Sequence, residues 1–211
     1  MVLDIAKQKQ EVTNLMKDAD VVVDLLPARF TFSIVNMAAK VGVNLVSAMY
    51  FNDPAEEDPI KIKQRQDALK EIDKLAAEKG IILLSEFGMD PGLDLILGKK
   101  ALEEFDEVHE FYSYGAGFPE ISAATNPIKY KFTWSIIGVM LSYLRPAVVI
   151  KDGKAVEVPA REMFAENNMH ILNIEELGSP LESFPNGNAA HYAELMGVKD
   201  TIKNMGRYIC R

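Results

Sequence analysis

The chain has a single cysteine, Cys210, which excludes an internal disulfide and fits a reducing compartment. Its three histidines, His109, His170 and His191, are far apart and lack metal-ligand spacing. With one cysteine beside them no zinc site is expected, and no residue is assigned to a metal. Long apolar runs are missing too. The best stretch, Ile136 to Leu144, falls short of the roughly 20 residues that span a bilayer and carries Ser142 and Tyr143. No basic-then-apolar secretory signal opens the chain. Positive charge is in deficit. A net charge of -8 and a pI of about 5.0 argue against nucleic acid or a membrane surface as partner. A cytoplasmic location is expected, with a mitochondrial matrix origin left open because a transit peptide is cleaved. No serine nucleophile elbow and no glycine-rich phosphate loop appear. Gly115-Ala116-Gly117 is too short and follows the wrong order of elements for a dinucleotide fingerprint.

What is present is organised around Ile81 to Leu97. Four apolar residues, Ile81 to Leu84, have the length of a buried parallel strand. The pattern breaks at Gly88-Met89-Asp90-Pro91-Gly92 and resumes with Leu93, Ile96 and Leu97 at helical spacing. Asp90 stands where an N-cap belongs and Pro91 where the first helical residue belongs. In an open parallel sheet this turn lies at the carboxyl end of a strand, where ligands bind. A helix N-terminus there would offer backbone N–H groups to an anion. An ordinary capped turn is the plain alternative.

Upstream, Val2 to Asp4 reads as the tail of a strand and Lys7 to Lys17 as a helix with Val12, Leu15 and Met16 as its stripe. Val21 to Leu26 is a β-branched strand that Pro27 ends, and Phe30 to Lys40 a helix stopped near Gly42. Asn44 to Ala48 is a short strand. Ile62 to Glu78 is strongly helical, with Ala68, Leu69, Ile72, Leu75 and Ala76 on one face, and Gly80 stops it. This alternation predicts an α/β fold, part of a doubly wound parallel sheet of Rossmann type, over residues 1–93.

From residue 94 onward the rhythm predicts an α+β domain on a mixed or antiparallel sheet. Val108 to Tyr114 and Tyr130 to Trp134 read as strands, and Gly115 to Pro119 as a flexible loop. Ser135 could cap a helix from Ile136 to Leu144. Val148 to Lys151 and Lys154 to Val158 flank Asp152-Gly153, a strong hairpin signal. Asn188 caps a helix over Ala189 to Met196. Beyond Pro159 little else is patterned.

Three successive strand ends, carrying Pro27, Tyr50 and Asp90, should mark one edge of one sheet. Taken singly, a strand-ending proline and a buried aromatic are plain alternatives.

The strings DLLP (24–27), VSAMY (46–50), EFGMDPGLD (86–94), GAGFPE (115–120), NPIKYKFTWS (126–135), FPN (184–186) and YAELMGV (192–198) resemble the glutamate-forming saccharopine dehydrogenases (saccharopine reductases). The resemblance runs from Val2 to Arg211. It implies a Rossmann domain joined to a substrate-binding domain with a mixed sheet. It also implies NADPH-dependent hydride transfer to or from the C–N bond of saccharopine or a close analogue, in lysine metabolism. Carried over by position, Tyr50 and Asp90 would face substrate and serve catalysis. Asn126 and Arg207 would bind substrate. Leu26, Pro27, Asp90, Pro91 and Gly92 would border the NADP cofactor. The partner is then a small amino-acid substrate, and a homodimer is left open.

By the same resemblance the family's first βαβ unit, with its phosphate loop, would precede residue 1, so the strand at Val21 should expose an apolar edge. Four positions depart from the family pattern: Met49, Gly115, Gly187 and Met205. At Gly187 the family's arginine, a bidentate carboxylate clamp, is lost. Two alternatives therefore stand beside the reductase. One is a non-catalytic remnant serving as a binding or oligomerisation domain. The other is a related polyamine-pathway dehydrogenase.

Overall fold

A computed structural model describes residues 2–52, 56, 58–127, 131, 136–178 and 180–210. The chain divides into two units, Met1–Ile96 and Leu97–Arg211.

The first unit opens not with a strand but with a turn. The Asp4 carboxylate accepts the Ala6 N–H, and its carbonyl accepts the N–H groups of Lys7 and Gln8. An aspartate that bonds the backbone just after it competes with extended pairing, which removes the expected strand at Val2 to Asp4. Helix α1 (Lys9–Lys17) follows. It buries Met16, whereas Leu15 turns toward solvent.

Strand β1 (Val21–Asp24) leads into α2 (Ala28–Val41), which ends on Gly42 in the left-handed conformation. Strand β2 (Asn44–Ser47) leads into α3 (Pro59–Lys79). The Asp58 side chain caps α3 by accepting the Ile60 N–H at 2.9 Å. Strand β3 is only Leu83–Leu84, and α4 (Leu93–Leu102) begins after it.

The three strands form one parallel sheet in the order β1-β2-β3. Val22 pairs with Leu45 and Asp24 with Ser47 in register, so these side chains share a face. That face carries the core: Met16 of α1, Ile34, Val35, Ala38 and Ala39 of α2, Val43, Leu45, and Ile72 of α3. Each fully buried valine, leucine, isoleucine or methionine side chain there contributes about 1.5–3 kcal/mol. Val21 and Val23 point the other way on an outer strand and are exposed, Val23 at 61%. The Ile81 to Leu84 run is not buried on both sides as its composition suggested. Ile82 and Leu84 face solvent, because an outer strand is covered on one face only.

The second unit is built on a six-stranded mixed sheet. Its strands are β4 (Glu110–Ala116), β5 (Ala147–Lys151), β6 (Lys154–Val158), β7 (His170–Leu172), β8 (Leu181–Pro185) and β9 (Asn204–Cys210). Strand β9 is the centre. It runs parallel to β4 along its whole length, while its other edge meets β5 at Met205 and β8 from Tyr208 to Cys210. The β5–β6 hairpin turns at Asp152 and Gly153, both with positive φ, as a two-residue turn between right-twisted strands requires. Gly115 and Ala116, expected in a loop, close strand β4 beside Ile209 and Cys210. The unit also carries helix α5 (Ile136–Ser142) and helix α6 (Ala189–Leu195), and Asn188 caps α6 through the His191 N–H at 3.2 Å. The expected strand at Tyr130 to Trp134 and the Ser135 cap fall outside the described residues, apart from Lys131.

Candidate functional site

Three strands ending side by side bring three loops to one sheet edge. The first loop, Leu25-Leu26-Pro27, is exposed and leads straight into α2. The second runs from Ser47 through Met49 to Tyr50, which is half-buried. The third spans Glu86 to Gly92. Backbone bonds clip these loops together. The Ala48 N–H donates to the Asp24 carbonyl at 3.1 Å, the Phe87 N–H to Ser47 at 3.0 Å, and the Glu86 N–H to Met49 at 3.2 Å. Asp90 lies six residues past β3 and is exposed, whereas Pro91 and Gly92 are buried.

The third loop differs from the expected capped turn in two respects. First, Asp90 is not the N-cap. Helix α4 starts at Leu93, and the Asp90–Pro91 bond is cis. The helix entry is instead tied by the Gly92 N–H donating to the Asp94 Oδ1 at 2.8 Å. Gly92 sits at φ +143°, and a Cβ there would stand 2.3 Å from the Gly88 carbonyl oxygen, so no other residue fits. Second, the N–H groups expected to await an anion are used within the loop and first turn. Leu93 donates to Gly88, Asp94 to Met89, and both Leu95 and Ile96 to Gly92. The chemistry this loop offers is therefore a shaped, packed backbone with Asp90 projecting at its surface, rather than an anion cradle.

Asp24 and Ser47, which carried no separate role in the sequence, sit beneath these loops. They are 2% and 0% exposed. Ser47 Oγ donates to Asp24 Oδ2 at 2.9 Å and accepts the Met49 N–H at 3.1 Å, and Asp24 Oδ1 accepts the Leu26 N–H at 3.0 Å. The signal was present: a lone acid closing a run of three valines, in register with a serine closing the next strand.

Within the second unit, Asn126 is half-buried in a turn shortly after the short 3-10 helix Ile121–Ala123. Arg207 lies in β9 and is 6% exposed, its guanidinium 4.1 Å above the Tyr192 ring. Its carbonyl accepts the Asn186 N–H at 2.7 Å, and its Nη1 would be 4.0 Å from a Cβ placed on Gly187.

A separate cluster joins Tyr112, Tyr114, Tyr208 and His170. Tyr114 Oη and His170 Nδ1 are 2.8 Å apart, and the His170 ring stacks on Tyr208 at 4.2 Å. Burial, then the charge of Lys151, pulls the His170 pKa down. Burial, then Tyr112 and Tyr114, pushes the Tyr208 hydroxyl up to about 12. Among the described residues no group of three His, Cys, Asp or Glu side chains could hold a metal ion. No helix among them is long and apolar enough to cross a membrane.

Residues 1–84 match the saccharopine dehydrogenase NADP binding domain, and residues 88–211 match the saccharopine dehydrogenase C-terminal domain. The mitochondrial alpha-aminoadipic semialdehyde synthase of Bos taurus is 29% identical over 200 residues, which are 93% of this chain and 20% of that protein. The NADP(+), L-glutamate-forming saccharopine dehydrogenase of Saccharomyces cerevisiae is 28% identical over 193 residues, 88% of this chain and 39% of that one. The structure of apo saccharopine dehydrogenase (L-Glu forming) from Saccharomyces cerevisiae superposes with a TM-score of 0.79 at 26% identity, covering all of this chain and 44% of that chain. The chain thus spans less than half the length of these relatives. With both family models matched in order along a fold that superposes on a solved member, the chain belongs to the saccharopine dehydrogenase family.

Proposed function

We propose that this chain is part of an NADP-dependent oxidoreductase acting on the C–N bond of an amino-acid conjugate, saccharopine or a close analogue, in lysine metabolism. The observation that carries this reading is the meeting of Leu26-Pro27, Tyr50 and the Gly88–Gly92 loop along the carboxyl edge of one parallel sheet, in a chain that matches an NADP-binding domain.

The residues suit the ring end of the cofactor. Leu25, Leu26 and Pro27 expose an apolar ledge, and the loop that Gly92 closes against the Gly88 backbone ends the third strand at the same sheet edge. None of the three strands is followed by a glycine-rich loop for the diphosphate. When bound, NADPH supplies the hydride, and the protein's task is to orient the ring and exclude water. Leu26, Pro27, Pro91 and Gly92 would line the ring. Asp90 would hold a substrate ammonium, and Tyr50 could donate a proton. In the second unit Arg207 would take a substrate carboxylate and Asn126 a polar group of the substrate.

A second reading, a non-catalytic binding or oligomerisation domain, draws on two of the departures. Met205 is 1% exposed in the sheet core and Gly187 turns at φ +71°, so both serve folding. Titrating the chain with NADPH while following nicotinamide fluorescence separates the two. Saturable enhancement is expected, and a flat response would leave only the second reading for this chain.

A further inference from the structure

We propose that Asp24 and Ser47 are positioning residues for the cofactor edge: the buried Asp24–Ser47 pair holds the Leu26-Pro27 loop and the Met49-Tyr50 loop at a fixed separation. The inference rests on reading that edge as the cofactor side of an NADP-dependent oxidoreductase.

Burying two polar side chains at the end of an otherwise aliphatic sheet face is costly unless every polar atom finds a partner. Here each partner is informative. Asp24 Oδ1 bonds the N–H of Leu26, the residue just before Pro27, and Ser47 Oγ bonds the N–H of Met49, the residue just before Tyr50. The remaining bond, Ser47 Oγ to Asp24 Oδ2, joins the two at 2.9 Å. One loop amide is thus linked to the next through two buried side chains and nothing flexible. The third loop is tied in by backbone, since the Ser47 carbonyl accepts the Phe87 N–H. An aliphatic pair at these register positions would extend the core but would release both loop amides. Side chains that touch no ligand yet lock the residues that do are a known requirement of precise sites.

The test uses the full chain and three variants, Ser47→Ala, Asp24→Ala and Asp24→Asn. Amide exchange read by NMR is the first measurement. In Ser47→Ala the Met49 amide should exchange about tenfold faster, and in Asp24→Ala the Leu26 amide likewise, as expected for one lost hydrogen bond. The mid-strand amides of Val22 and Leu45 should be unchanged. Asp24→Asn keeps an oxygen for Leu26 and should restore its protection. The second measurement is the NADPH dissociation constant, which should rise several-fold in both Ser47→Ala and Asp24→Ala and lie nearer wild type in Asp24→Asn than in Asp24→Ala. Equal acceleration at all four amides, or unchanged exchange with unchanged affinity, would overturn the proposal. If the wild-type chain binds no NADPH, the proposed function fails for this chain, while the exchange pattern alone still decides whether the pair positions the loops.

Discussion

The Gly92 N–H points at the Asp94 carboxylate 2.8 Å away, so the entry to α4 is fastened from inside the helix rather than by Asp90. A carboxylate in the first turn that accepts an amide at the helix start stabilises both the bond and the dipole. Asp94→Ala is expected to lower stability by about 1 kcal/mol. A urea midpoint unchanged from wild type would contradict this assignment.

The same loop admits no Cβ at position 92. With Gly88 backbone atoms 2.3 and 2.5 Å from where it would stand, Gly92→Ala must displace main chain rather than a side-chain tip. A loss of about 3 kcal/mol or more is expected, at the severe end for one substitution. Denaturant unfolding measures it, and a loss below that of Asp94→Ala would mean the loop relaxes freely.

Arg207 and Tyr192 are expected to act as a stacked pair. Arg207→Lys keeps the charge but loses the planar face that covers the ring at 4.1 Å. About 1–2 kcal/mol of stability should go with it. Tyr192→Leu should cost a similar amount, and the double variant should cost less than the sum.

The tyrosine–histidine cluster gives the second unit two pH dependences of opposite direction. His170 titrates lower when folded, so the unfolded chain takes up more protons as pH falls below roughly 6.5, and stability drops on acidification. Tyr208 titrates higher when folded, so its contribution is whole below pH about 10 and is lost as pH rises toward its folded value of about 12. Urea midpoints against pH for wild type, His170→Phe and Tyr208→Phe check this. The first variant should flatten the acid limb and the second the alkaline limb.

Much of the first unit could be read from the sequence because its elements obey local rules. Valines at 21 to 23, the Ile72 and Ala76 stripe, and glycines at 42 and 80 each favour one structure over a few residues. The hairpin at Asp152-Gly153 and the Asn188 cap were legible for the same reason. The central strand β9 was not. Asn204–Cys210 interleaves Gly206 and Arg207 with apolar residues, and its strand character comes from β4, β5 and β8 on its two edges. Likewise Asp90-Pro91 looked like a helix start by residue type, but the Gly88–Gly92 closure, a contact no spacing reveals, placed the start at Leu93. The Asp24–Ser47 pair depended on register between two strands, which only the fold supplies.

Amide chemical shifts of the isotope-labelled chain, followed as NADPH is added, test most directly whether the three strand ends are one cofactor edge. The account predicts saturable shifts at Leu26, Tyr50 and Gly92 together, with the β5–β6 hairpin unmoved. Shifts confined to the hairpin, or movement at only one of the three loops, would contradict it.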